Sequence, residues 1–315
     1  MNMQTKNTTK RKPFLKSAFR ELAGNRYLYL MMIPVVLYYL IFCYLPMYGI
    51  IIAFKDYTIS GGIFGSEWVG LKHFKDFFTG IYFQRILGNT LKISLYSLLV
   101  GFPLPIIFAL LMNELRSNKF KRSVQTVTYL PHFISTVVVC GMIVDFFSRD
   151  GIVTKALAAF GLPQMNYVGN NSSFIHVYVW TTVWQAIGWN SIVYLAALTG
   201  IDTQLYEAAT IDGAGRFKQV LHVTIPGISS TIIVMLIMKL GQVMTVGYEK
   251  IILLYGPSTY ESADVISSFV YRYGLGEAMQ YSYSTAVNLF QSVINLTLLV
   301  TANAFSRKFS GSSLY

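Results

Sequence analysis

No charged side chain interrupts the chain between Arg26 and Lys55. A helix needs roughly 20 apolar residues to cross the hydrocarbon core of a bilayer, and the run from Tyr27 to Phe54 exceeds that. In lipid every backbone N–H and C=O must be paired within protein, so a single run of this kind crosses only as a helix. Pro34 and Pro46 inside it predict kinks, because each removes a ladder donor and crowds the preceding turn. A secretory signal would carry a core of only about 7–15 apolar residues and a small-x-small cleavage site. This run fits neither requirement and reads as a retained first span.

Comparable stretches recur along the chain. Ile86 to Asn113 is interrupted only by Lys92, and Ser123 to Val144 holds His132 but no formal charge. After the loop "GLPQMNYVGNNSS", Phe174 to Leu198 forms a fourth span. Ile228 to about Gly247 forms a fifth with Lys239 near its centre, and about Ser284 to Ser306 a sixth. Composition agrees: the chain is 54% hydrophobic and 12% charged, with mean hydropathy +0.49, against about 25% charged in a soluble domain. The expected fold is an all-α polytopic membrane protein. Residues 1–26 form a basic cytoplasmic tail, 27–306 a six-helix transmembrane domain with a polar loop at 200–227, and 307–315 a second tail.

The net charge of +11 is placed as a topology signal rather than a nucleic-acid footprint. Seven of the 25 Lys and Arg residues precede Tyr27. With the N-terminus inside, the two tails and the inner loops carry 15 of them and the outer loops 8, leaving Lys92 and Lys239 within spans. Excess Lys and Arg marks the cytoplasmic side, so both termini and the loop 200–227 are expected inside. Cys43 and Cys140 lie in apolar runs and read as small buried residues, not a disulfide or metal pair. His73, His132, His176 and His222 show no metal-ligand spacing. No nucleophile–base pair or paired carboxylates stand out, which argues against an enzyme.

The polar loop carries "LYEAATIDGAGRFKQVLHVTIPG". Asp202 or Thr203 is placed to cap a short helix by accepting from its free N–H groups. Leu205, Ala208 and Ala209 share one face with Ile211 nearby, leaving Glu207 and Asp212 in more polar surroundings. Gly213 and Gly215 allow a sharp change of direction that a Cβ would oppose. A second helix restarts at Arg216, and Pro226 with Gly227 marks the bend into the fifth span. A short helix with small residues on one face fits a groove on another protein. On the residues alone, an amphipathic connector lying on the membrane stays open beside that reading.

The same stretch resembles the EAA loop of binding-protein-dependent ABC importer permeases, in which Glu-Ala-Ala is followed by Asp-Gly-Ala, an aromatic residue and a hydrophobic-Pro end. Glu207, Ala208, Ala209, Asp212, Gly213, Ala214, Phe217, Ile225 and Pro226 fall on that pattern. The chain departs from it at Ile225, where Leu is usual, and lacks a proline often found shortly after Pro226. "YLPMYGIIIAFKDY", "WVGLKHF", "NTLKISL", "YLPHFIS" and "GWNSIVYLAALTGIDTQLYEAA" look like the carbohydrate branch, in particular permeases for oligosaccharides and polysaccharide fragments. The resemblance covers nearly all of Tyr27 to Ser306. It implies a type I importer fold, a second permease as heterodimer partner, two ATPase subunits docked on the loop, and an extracytoplasmic sugar-binding protein. The chain has no Gly-x-x-x-x-Gly-Lys-Ser/Thr, so ATP and Mg would be held by the partner ATPases and no cofactor by this chain.

Sugar recognition combines aromatic faces with planar polar groups. The fourth span offers Trp180, Trp184, Gln185, Trp189 and Asn190; the fifth, Lys239 and Gln242; the sixth, Asn288, Gln291 and Asn295. The last three recur at helical spacing as one polar stripe, which either bonds a neighbouring span or lines a pathway, since amides facing lipid lack partners. A mid-bilayer ammonium such as Lys239 costs at least about 2.5–3.5 kcal/mol on insertion scales and is expected to face protein or water. The tryptophans suit helix packing as well as sugar stacking. Two other functions stay open: an ion-gradient-driven secondary transporter, and an assembly subunit without direct sugar contact.

Overall fold

The computed structural model describes residues 24–276, 278–310 and 314, so nearly all of the basic tail expected over 1–26 lies outside the described residues. Apart from a pair of two-residue strands, Lys55–Asp56 and Glu67–Trp68, the regular structure among the described residues is helical. Arg26–Phe54, Phe83–Glu114 and Tyr281–Lys308 are each long and apolar enough to cross a membrane. Two bent pairs bring the number to as many as five: Asn118–Phe133 with Thr136–Phe146, and Arg216–Gly227 with Ser229–Leu240. The fourth expected span is a single helix of 28 residues, Asn171–Leu198. With its Trp, Tyr, His and Asn side chains it is not among the three helices apolar enough by themselves to cross a membrane.

Prolines shape the first and fifth spans in the same way. A widened π-helical turn, Tyr39–Tyr44, precedes Pro46, and another, Val220–Thr224, precedes Pro226. A proline ring collides with the carbonyl four residues back, and opening the turn by one residue relieves it. The kink expected at Pro46 thus takes the form of a π segment in a continuous Arg26–Phe54 helix, whereas Pro34 lies inside the regular α-helical segment Arg26–Tyr38. None of that helix's most apolar stretch is buried inside the chain. Cys43, read from sequence as buried, is therefore exposed, whereas Cys140 is buried in the core.

Two further expectations change. The stretch Ser123–Val144 is two helices bent by 100° at a short break, not one straight helix. Pro131 sits in a short 3-10 turn, and Ser135 leaves the helical region to cap the next helix, its Oγ accepting from Val138 N–H. The fifth span stops at Leu240 instead of running to about Gly247. Lys239 consequently lies in the helix's last turn and not at its centre.

The helix Asn171–Leu198 is the axis of the fold. Gly188 brings it so close to Asn118–Tyr129 that an added Cβ would collide with the Thr128 carbonyl. Phe174, Val177 and Tyr178 pack with Ile93, Val139, Ile251 and Val265 in the largest core cluster. A second cluster, with Phe77, Ile86, Phe269 and Val287, joins the segment between the fifth and sixth spans to the second and sixth spans and to the short helix Lys72–Thr79. Beside it Asp264 is fully buried and bridges Arg272 (2.7 Å) and Arg85 (3.3 Å), with Ser268 Oγ donating to the same carboxylate at 2.9 Å.

Candidate functional site

The polar loop folds as an elbow of two helices. Asp202, not Thr203, is the cap: its Oδ1 accepts from Gln204 N–H at 2.9 Å, and the helix runs Thr203–Ile211. At its end Ala214 N–H donates to Ala209 O (2.8 Å) and Gly213 N–H to Thr210 O (3.0 Å). This closure requires a left-handed residue, and Gly213 supplies it with φ +75°. Gly215, in contrast, has an ordinary φ of −68° and opens the second helix, Arg216–Gln219.

Four side chains absent from the sequence expectations set the elbow's angle. Gln219 Nε2 donates to Thr210 Oγ1 and to Ala214 O, each at 3.0 Å. The Tyr206 and Thr224 hydroxyls meet at 3.0 Å, holding the first helix to the π turn before Pro226. Against this fixed frame the outer side is bare. Glu207, Ala208, Asp212 and Pro226 are exposed, Ala209 and Ala214 are half-buried, and Ile211 and Phe217 are 86% and 80% exposed.

A cavity of about 470 Å³ opens among the spans. Four of the expected polar residues line it: Gln185 and Asn190 from the long helix, Lys239, and Gln242 just beyond the fifth span's end. Lys250, unnoticed in the sequence, lines it too. It lies on the short helix Tyr248–Leu254 and is only 7% exposed. Its Nζ donates to Thr182 Oγ1 at 2.9 Å and stands 5.6 Å from the Tyr178 ring centroid. Burial pushes its pKa down to about 8. The signal available in sequence was the apolar "IILLY" that follows it, which marks its helix as buried.

The polar stripe of the sixth span reaches a second cavity of the same size, which shares Thr245 and Tyr248 with the first. Asn288, Gln291 and Asn295 all line it, but two are already engaged. Gln291 Nε2 donates to Met244 O (2.8 Å), while Asn295 accepts from Met244 N–H (3.0 Å) and donates to Thr245 Oγ1 (2.9 Å). They satisfy backbone that the fifth span leaves unpaired where its helix stops. Trp180, Trp184 and Trp189 line neither cavity. Trp180 Nε1 donates to Tyr96 OH at 3.0 Å, and Trp189 stacks on His132 at 4.4 Å.

Several long apolar helices, a cavity among them with amide and ammonium groups on a largely apolar wall, and an exposed elbow define a polytopic α-helical membrane protein of the transport class. The chain belongs to the family of binding-protein-dependent transport system inner membrane components, whose model matches residues 101–311. It is 43% identical over 296 residues to the polygalacturonan/rhamnogalacturonan transport system permease protein YteP of Bacillus subtilis strain 168, covering 94% of this chain and 92% of that one. It shares the fold of a chain in a bacterial alginate ABC transporter solved with an alginate pentasaccharide-bound periplasmic protein. The TM-score is 0.85 and the identity 40%, covering 94% of this chain and 99% of that one. A second structure of a bacterial ABC transporter, involved in import of the acidic polysaccharide alginate, matches equally well over 93% and 99%.

Proposed function

We propose that this chain is the permease subunit of an ATP-driven carbohydrate importer, moving an oligosaccharide or polysaccharide fragment. A second permease completes the pathway, an extracytoplasmic binding protein delivers the sugar, and two separate ATPase subunits drive the cycle. The observation that carries this reading is the elbow: a hydrogen-bonded lever whose apolar tips, Ile211 and Phe217, are left uncovered. Closure of the ATPase dimer pushes the elbow, and the bend at Pro226 and Gly227 passes the movement to the fifth span. Glu207 makes the polar contact at the docking groove. Sugar passes by Gln185, Asn190, Lys239 and Gln242, with Asn288 beside them.

We read six crossings: the three long apolar helices, the two bent pairs, and Asn171–Leu198, which at about 1.5 Å per residue is long enough to span. The Lys and Arg distribution supports both termini and the elbow on the cytoplasmic side, and the family resemblance supports a prokaryotic cell membrane. The test is a pair of elbow variants in the assembled importer. Gly213→Pro and Glu207→Trp are expected to abolish uptake while ATP hydrolysis continues and the complex stays in the membrane. Normal uptake by both refutes the lever.

A further inference from the structure

We propose that the cavity between the fourth and fifth spans is a carboxylate subsite, in which Lys250 and Lys239 select sugars bearing a carboxylate over neutral ones. The proposal rests on the reading of the chain as a carbohydrate permease and names the chemistry of what that site takes.

Lys250 is the central observation. An ammonium offers three donors, and the Thr182 hydroxyl and the Tyr178 ring face account for the described contacts of its Nζ. Among the described residues, no carboxylate comes within 4.0 Å of it; the three ion pairs there belong to Arg85, Arg216 and Arg272. Burying an unpaired charge is costly, and burial has already pulled its pKa well below the usual lysine value. A leucine or methionine at this position would pack the same core without that cost. What a lysine adds is attraction for an anion entering the cavity.

The rest of the lining agrees. Lys239 is exposed and gives the cavity a second cation. The one acidic side chain on the lining among the described residues is Glu249. It is exposed, whereas Lys250 is buried, so the charge set deep in the wall is positive. Gln185, Asn190 and Gln242 add amides that bond sugar hydroxyls without regard to charge. Cations in the wall and neutral amides around them match a uronate-type sugar: one carboxylate and several hydroxyls per ring.

Isothermal titration of the assembled permease–ATPase complex in nanodiscs, without binding protein, removes the binding protein's own sugar site, and variants of Lys250 and Lys239 assign the remaining binding to this cavity. The probes are oligogalacturonate and oligomannuronate, each against its carboxyl-reduced neutral counterpart. The wild type is expected to bind at least one acidic probe about tenfold or more tighter than its counterpart. Lys250→Gln should shrink that preference to threefold or less, and Lys250→Arg should keep it. Lys239→Gln, at an exposed position that does not threaten folding, should reduce it about threefold. Equal binding of acidic and neutral probes by the wild type, binding of neither at millimolar concentration, or parallel loss of both in Lys250→Gln overturns the proposal. The importer reading stands or falls separately, on ATP-driven uptake.

Discussion

Gln219 Nε2 donates to Thr210 Oγ1 at 3.0 Å, across the corner between the two elbow helices. The same amide donates to Ala214 O, so one side chain ties the first helix, the corner and the second helix together. A lever transmits force only if its corner does not flex. Gln219→Ala is therefore expected to lower uptake per ATP hydrolysed several-fold while leaving assembly intact. Measured transport stoichiometry in proteoliposomes checks this; an unchanged ratio would show that the corner's stiffness comes from elsewhere.

The corner also depends on the left-handed backbone of Gly213. Forcing a branched side chain into that conformation costs about 1–2 kcal/mol, but Asn tolerates it. Gly213→Val should impair uptake strongly and Gly213→Asn only weakly. The space around Gly213 is open, so equal impairment in both variants would point to an unmade partner contact instead of backbone strain.

Asp264 holds two guanidinium groups that link the second span to the segment before the sixth. Removing its charge leaves both arginines facing each other. Loss of one member of a buried pair costs about 3–5 kcal/mol. Here about 2–3 kcal/mol is expected, because the Arg85 and Arg272 side chains are 33% and 35% exposed and so partly screened. Asp264→Asn should lower the Tm of the purified complex clearly, and Asp264→Ala more so; an unchanged Tm in both contradicts this role.

Lys250 gives stability a pH signature. Its folded pKa of about 8 lies below the unfolded 10.5. While it is charged in both states, below about pH 8, it opposes folding by roughly 3 kcal/mol. That penalty fades as the pH climbs towards 10.5. Lys250→Met should therefore be more stable than wild type at pH 7, with the difference shrinking by pH 9.5. Parallel melting curves at the two pH values report it; a constant difference would rule out the buried charge as its source.

Much of this was legible in the sequence, and the misses have physical causes. The first, second and sixth spans could be read because long, nearly uncharged runs leave a helix no alternative in lipid. The elbow could be read because its caps and glycine obey local rules. The 100° break at Ile134 and Ser135 was hidden, since hydropathy registers burial in lipid and is blind to a turn. The early stop at Leu240 was hidden for a related reason. Val243 and Val246 continue the apolar composition, while the amides that replace the helix bonds come from Gln291 and Asn295 on another span. Lys250 was counted as an ordinary loop charge because burial of a lysine is decided by distant residues such as Thr182 and Tyr178.

On the function proposed above, this chain imports carbohydrate under ATP drive, through its elbow. Uptake of labelled oligosaccharide into proteoliposomes carrying the full complex, with ATP or an imposed ion gradient, tests it most directly. Uptake that requires ATP and the binding protein, ignores the gradient and disappears in Gly213→Pro is the expected result. Gradient-driven uptake by this chain alone, indifferent to ATP and to Gly213→Pro, would contradict it.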